Sequence, residues 1–356
     1  MVTLYVSSTA GYSGKSMVTM GIGAQLQKDG FRVGYQKPVG ILPVEVENTL
    51  TDKDAWFIYR FLKLSDPLEL ICPVVITQDV LINALREDMK GLDRKIARAF
   101  KGLALNKDVM IVGGSGSFHT GSYMGIPATK LVKRLEAKIL LIDRYQGEFY
   151  VDSILDAQDN FKEHLVGVIL NNITSEYMSD VQDLIVPYLE KKGISVLGVV
   201  PYDPLMGSVK VEYIAEQLGG KVICCHHRLD NLVEQFLIGG MQVRMFLEYF
   251  RKSKNVGVIV GGDRSDIQLA SIEGGAKCIL LTGNLYPNEI IIGRAEEKEI
   301  PIVVLSGDTY TVAKNMERLS FRIRLRETEK VERGVQLIKE YVDFDRLYAR
   351  LGLKKE

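Results

Sequence analysis

Residues 2–16 read Val2-Thr-Leu-Tyr-Val-Ser-Ser-Thr-Ala-Gly-Tyr-Ser-Gly-Lys-Ser16, an apolar run that breaks into small residues and ends in Gly14-Lys15-Ser16. The spacing predicts a short buried strand over 2–6, a loop, and a helix over 17–27. In that setting Gly-Lys-Ser is a phosphate-binding loop. The helix start offers N–H groups without intrahelical partners, and the positive end of the helix dipole, to an anion. The pattern assigns Lys15 to the β- and γ-phosphates and the Ser16 hydroxyl to Mg²⁺. It departs from GxxxxGK[ST] at the front, because the position of the first glycine is Thr9, so Gly11 is expected to supply the tight turn. The plainer reading is a strand and a helix joined by a Gly/Ser-rich turn.

Working outward, further short apolar runs end in polar or glycine-rich residues. These are 32–35 before Gln36-Lys37-Pro38-Val39-Gly40, 108–112 before Gly113-Gly114-Ser115-Gly116-Ser117-Phe118-His119, 138–142 before Asp143-Arg144, 166–170 before Asn171-Asn172, and 196–200 before Pro201-Tyr202-Asp203-Pro204. Thr51-Asp52-Lys53-Asp54 caps a helix running to about Leu62. Helical stretches separate most of the strands, which predicts an α/β fold with a parallel sheet covered by helices on both faces. In such a sheet ligands bind at the carboxyl edge of the strands.

The chain has 356 residues, and with about 100–200 residues per domain as a guide two domains are expected. Lys plus Arg and Asp plus Glu both total 45, so no net field favours nucleic acid or an anionic membrane. The four cysteines lack a secreted framework, and no leader precedes the strand at residue 2. A cytoplasmic, reducing location is therefore expected. No apolar run approaches the roughly 18 residues of a membrane span.

The character changes after Pro204-Leu205-Met206-Gly207-Ser208, read as a domain edge. A strand at 221–225 is followed by an apolar stretch, 232–250, whose Gly239-Gly240-Met241 is either a turn or a close-packed point within a helix. Then come a strand at 256–260, Gly261-Gly262-Asp263-Arg264-Ser265-Asp266 opening a helix to Glu273, a strand at 278–281 with Thr282-Gly283-Asn284, a helix around 288–297, a strand at 302–305, and Ser306-Gly307-Asp308-Thr309-Tyr310-Thr311 opening another helix. This order predicts a second, smaller α/β domain. Asp263, Asp266 and Asp308 are read as helix N-caps or as ligand contacts. Cys224-Cys225-His226-His227 is not read as a zinc site, since adjacent strand residues point to opposite faces. The boundaries adopted are 1–207, 208–325 and a C-terminal helical segment with a solvated tail, 326–356.

Ser8 to Ser16, Tyr35-Gln36-Lys37-Pro38-Val39, Asp54 and Asn171, in that order, resemble dethiobiotin synthetase and its P-loop relatives. With Gly114 to Tyr123 and the second half added, the chain more closely resembles the N-terminal portion of large bacterial phosphate acetyltransferases. Gly262-Asp263-Arg264 and Asp308-Thr309-Tyr310 resemble a DRTGG domain, a module that regulates or dimerises. The resemblance implies that Gly11, Tyr12, Ser13, Gly14, Lys15 and Ser16 hold ATP, that Ser16 and Asp54 hold Mg²⁺, that Asn171 reads the adenine edge, and that Lys37 acts beside Lys15 on an acidic substrate. From the residues alone, Asp54 is equally a first-turn carboxylate on a helix, Asn171 a strand-end turn residue, and Lys37 a solvated strand-end lysine. The synthetase pattern has a metal-binding glutamate where this chain has Gly113, with water, Ser115 or His119 as substitutes.

These readings lead to an ATP-binding regulatory or sensor protein, hydrolysing slowly if at all, whose second domain gives dimerisation or an effector response. The alternative is a synthetase activating a small carboxylate or carbamate. A third reading is a scaffold that nucleotide merely stabilises. The expected partners are nucleotide, a small carboxylate or effector, and a second copy of the chain, with neither nucleic acid nor membrane. The chain stops after the DRTGG-like region, so phosphate acetyltransfer by this polypeptide is not expected.

Overall fold

The computed structural model describes residues 1–86, 89–145, 147, 150–321 and 327–354, without the side chains of 317, 318, 320 and 321. Lys355-Glu356, read as the end of a solvated tail, and the 325/326 boundary lie outside the described residues. The chain divides into two compact units, Met1–Tyr202 with Leu325–Glu356, and Asp203–Arg324.

The first unit is built on a six-stranded sheet. Its strands are β1 (Val2–Ser8), β2 (Val33–Gln36), β3 (Val109–Gly113), β4 (Lys138–Asp143), β5 (Leu165–Ile173) and β6 (Val196–Pro201). Their order is β6-β5-β4-β1-β3-β2 and every pairing is parallel. In β3 all residues are buried, and in β1 and β4 all but the first. Burial at successive positions means that both faces of the sheet are covered, which is why these strands read as unbroken apolar runs. The chain passes from β1 to β2, returns to β3, then crosses over β1 to β4. The carboxyl end of β1 thus opens between the ends of β3 and β4, at the point where the winding reverses.

Two helices are placed by this strand order. Helix α1 (Lys15–Lys28) follows β1 after the loop, and α2 (Lys53–Phe61) follows an antiparallel hairpin formed by Pro43–Val46 and Thr49–Asp52. The C-terminal segment, read from sequence as separate, packs on this same unit. A Cβ at Gly21 in α1 would lie 2.5 Å from the Cβ of Ile338 in the helix Thr328–Tyr341, so the two helices meet at van der Waals distance because position 21 has no side chain. The contact is extended by a bridge between Gly198 and Val342, by Arg346 forking onto Glu190 at 2.7 Å twice, and by the Tyr348 hydroxyl donating to Asp29 at 2.8 Å.

The second unit carries a five-stranded sheet of β7 (Lys221–Cys224), β8 (Gln235–Ile238), β9 (Val256–Gly261), β10 (Cys278–Thr282) and β11 (Ile302–Val304). The order is β7-β11-β10-β9-β8, parallel except for β7. The stretch 232–250 resolves into a two-residue strand at Leu232–Val233, β8, a turn at Gly239–Gly240, and the helix Val243–Phe250. Cys224 and Cys225 lie in the core, their thiols donating to the carbonyls of Ile300 and Ala295. No helix among the described residues is long and apolar enough to cross a membrane.

Candidate functional site

Loop 9–14 leaves β1 and turns into α1 with Gly14 at the N-cap in the left-handed region, φ +95°. A Cβ there would collide with the Asn171 amide nitrogen, so backbone freedom and space both require glycine. No side chain caps α1. Its first-turn N–H groups are consequently free to meet an anion, which is the cradle a phosphate needs. The turn does fall at Gly11 and Tyr12, but Gly11 does not take the left-handed conformation in it. The left-handed residues are Tyr12 (φ +57°) and Gly14, while Gly11 has an ordinary φ and open space around it.

The Lys15 ammonium folds over this loop, donating to the Ser8 hydroxyl at 2.7 Å and the Gly116 carbonyl at 2.5 Å. Burial first, and the Lys37 charge second, lower it to about 8, against an opposing pull from Asp54. Lys15, Lys37 and Asp54 therefore share one electrostatic neighbourhood, although they come from three segments. Ser16, half-buried, occupies the second position of α1.

Lys37 is not a solvated strand-end lysine. Its side chain is 7% exposed and its ammonium donates to Asp52 at 2.7 Å and to Asp54 at 3.5 Å. Asp52, fully buried, also caps α2 by accepting from the N–H groups of Asp54 and Ala55, and takes a third from Leu42. Asp54 sits in the first turn of α2 and is the more open of the two carboxylates.

At the end of β3, Gly113 faces the Tyr35 ring. A Cβ at Gly113 would lie 2.7 Å from the Tyr35 hydroxyl, so the phenol fills the space a side chain would enter. Tyr35 is 1% exposed, and burial, with Asp52 and Asp54 nearby, holds its hydroxyl well above the ordinary phenol value. The two substitutes considered for the missing carboxylate are engaged elsewhere. Ser115 donates to the Val39 carbonyl, and His119 pairs with Asp156 at 3.2 Å with both side chains more than half exposed. The residues that the resemblance assigns to Mg²⁺ are Ser16 and Asp54, and Asp54 also meets Lys37 at 3.5 Å. That small set suits an ion that usually takes one or two carboxylates and completes its shell with phosphate oxygens and water.

Asn171 lies inside β5, which continues to Ile173, and the left-handed turn residue is its neighbour Asn172 (φ +63°). The buried Asn171 amide donates to the Ser13 carbonyl at 2.9 Å and so braces the loop. Three contributors have no role in the sequence reading: Asp52, which appears there only as a possible cap; Tyr35, which appears as a strand residue and as part of the run resembling dethiobiotin synthetase; and the pair Asp143-Arg144. Arg144 donates to the Tyr12 carbonyl at 3.4 Å, and Asp143 accepts from the Thr9 hydroxyl. The available signal was two charges directly after an apolar strand at the binding edge.

Burial pushes the Asp143 carboxyl up to about 6, with the Thr9 hydrogen bond opposing the rise. A carboxyl whose folded value is raised contributes stability that is complete below its unfolded value and lost as pH rises through the folded one. Asp143→Asn is accordingly expected to raise unfolding free energy by about 1–2 kcal/mol at pH 8, after the cost of an unpartnered amide, and by little at pH 4. Urea denaturation at the two pH values checks this.

In the second unit the loops after β8, β9, β10 and β11 share one edge. Asp308 is an N-cap, accepting from the Thr311 N–H at 3.0 Å. Asp263 and Asp266 are not caps. Arg264 stands at the cap of the helix Ser265–Glu273 and pairs with Asp266 at 2.9 Å. The Thr282 and Thr309 hydroxyls meet at 2.7 Å between two of these loops.

Comparison with known proteins places these features. The AAA domain model matches residues 2–210, and the DRTGG domain model matches residues 213–319. The phosphate acetyltransferase of Synechocystis is 25% identical over 361 residues, covering 97% of this chain and 51% of that protein. The chain spans about half the length of the phosphate acetyltransferases it matches. The ATP-dependent dethiobiotin synthetase of Nitrosopumilus maritimus is 21% identical over 218 residues, 60% of this chain and 95% of that protein. Among solved structures, the CBS and DRTGG domains of the Clostridium perfringens pyrophosphatase regulatory region, in complex with diadenosine tetraphosphate, are 16% identical with a TM-score of 0.29, covering 41% of this chain and 71% of that one. With the first model spanning well over half its length, the chain belongs to the AAA domain family, as a phosphate-binding-loop domain joined to a DRTGG domain.

Proposed function

We propose that the first unit binds Mg-ATP as a regulatory ligand and does not use it for fast phosphoryl transfer, and that the DRTGG domain turns this state into dimerisation or an effector response. The observation that carries this is the buried Lys37 held by Asp52 and Asp54. A synthetase needs a free cation there to orient the acid that receives the phosphoryl group. The uncapped α1, Gly14 and Lys15 support binding of the triphosphate, and the Asn171 carbonyl remains the group to accept from adenine. Ser16 and Asp54 would hold Mg²⁺, which when bound neutralises phosphate charge. With no carboxylate at Gly113, that charge placement is weaker than phosphoryl transfer demands. Similarity to the N-terminal half of phosphate acetyltransferases supports a regulatory role next to an enzymatic activity. Four buried cysteines without disulfides are in keeping with the cytoplasm.

Titration of Mg-ATP, with ADP release followed in parallel, tests the proposal. Wild type is expected to bind and to turn over negligibly with or without small carboxylic acids, and Lys15→Ala to bind about 100-fold more weakly. Strong stimulation of turnover by one acid would replace this reading with the synthetase one. Absence of binding by wild type would remove both.

A further inference from the structure

The phosphate-binding loop is shaped by side chains from outside its motif. Thr9 stands at the position of the motif's leading glycine, where a residue without a side chain would leave the backbone unconstrained. Here the side chain is used as a tether. The Thr9 hydroxyl donates to Asp143 Oδ2, and the Thr9 N–H donates to the Ile142 carbonyl at 3.2 Å, prolonging the β1–β4 pairing by one residue. Asp143 has no exposed surface, and its Oδ1 is buried without a hydrogen-bond partner among the described residues. A half-satisfied carboxylate in such a place is unfavourable for folding, so its contribution is to be sought in what it holds. It holds the entrance of the loop.

Further along, the loop enters a conformation that needs holding. Tyr12 is left-handed without being glycine, a strained state that persists only when the surroundings impose it. Arg144 donates to the Tyr12 carbonyl, and Asn171 donates to the Ser13 carbonyl. The Ser13 hydroxyl closes the turn onto the Ala10 carbonyl at 2.9 Å. Releasing Thr9 would let residues 9–12 relax towards ordinary backbone angles and turn N–H groups away from the phosphate position. Affinity would fall by the fraction of molecules that leave the competent shape.

We propose that Asp143 is a positioning residue for nucleotide binding: acting through the Thr9 hydroxyl, it fixes the entrance of the phosphate-binding loop in place of a leading glycine. The proposal rests on the nucleotide reading above, and wild type alone tests that reading.

Mg-ATP affinity and thermal unfolding are measured side by side for wild type, T9V, T9S, D143A, D143N and T9V/D143A. Threonine and valine have the same shape, so T9V removes the tether without a cavity and keeps the test valid if D143A folds poorly. T9V and D143A are each expected to weaken binding about tenfold, equivalent to about 1.4 kcal/mol. The double variant should be no weaker than either single one, because both delete the same bond. T9S and D143N, which keep a donor facing an acceptor, should recover most of the lost affinity. A merely structural role would shift the melting temperature and leave the affinity of the folded protein unchanged. Wild-type affinity in T9V, or additive losses in the double variant, would overturn the proposal; failure of wild type to bind would instead overturn the nucleotide reading beneath it.

Discussion

Asp52→Ala is expected to destabilise the first unit by about 3–5 kcal/mol, the cost of leaving a buried charge without its partner. Asp52 meets Lys37 at 2.7 Å, accepts from the Leu42 N–H at 2.8 Å, and takes the Asp54 and Ala55 N–H groups at 2.9 and 3.0 Å. Alanine would strand the Lys37 ammonium with Asp54 at 3.5 Å, uncap α2, and cut the tie between that helix and the hairpin before it. Asp52→Asn keeps the shape and most acceptors but removes the charge, so it should fall between alanine and wild type. Lys37→Met in the Asp52→Asn background should recover part of the loss, since the only carboxylate that then loses a cation is the partly exposed Asp54. Urea denaturation at pH 7 measures all four proteins, and a loss below about 1 kcal/mol for Asp52→Ala would mean that the Lys37 ammonium escapes to water.

The same pair shows where the sequence was legible and where it was not. Asp52 reads as a cap because capping is local, a side chain answering N–H groups two and three residues ahead. Its second partner is fifteen residues back on another segment, and nothing in the spacing announces that. The six strands of the first sheet lie within one to three residues of their predicted ends because a strand buried on both faces must be apolar at every position. Strand β8 is not legible because Gln235-Phe-Leu-Ile238 runs into the apolar helix 243–250, and periodicity does not separate a short apolar strand from a helix. Gly21 gave no sign that a helix more than 300 residues away rests on it. In the loop, Gly-Lys-Ser marked the phosphate site. The contacts that shape it come from Asp143, Arg144 and Asn171, on strands whose order becomes known only in three dimensions.

Gly113→Glu, which writes back the carboxylate of the synthetase pattern, is expected to destabilise the first unit by about 3–5 kcal/mol. Gly113 is buried, paired in register with Val6 of β1, and its Cβ direction runs into the Tyr35 ring, with the hydroxyl at 2.7 Å and the nearest ring carbon at 3.1 Å. Gly113→Ala isolates the steric part and should cost about 1–3 kcal/mol. Tyr35→Ala alone should cost about 3–5 kcal/mol, as truncation of a fully buried aromatic does. Together, Tyr35→Ala and Gly113→Glu should destabilise less than their sum by about 1–3 kcal/mol, because the glutamate then enters the space the ring leaves. The double variant also separates the two functional readings. If the missing carboxylate is what limits turnover, Mg-ATP hydrolysis should rise above wild type despite the lower stability. If it is not, hydrolysis should stay at or below the wild-type level.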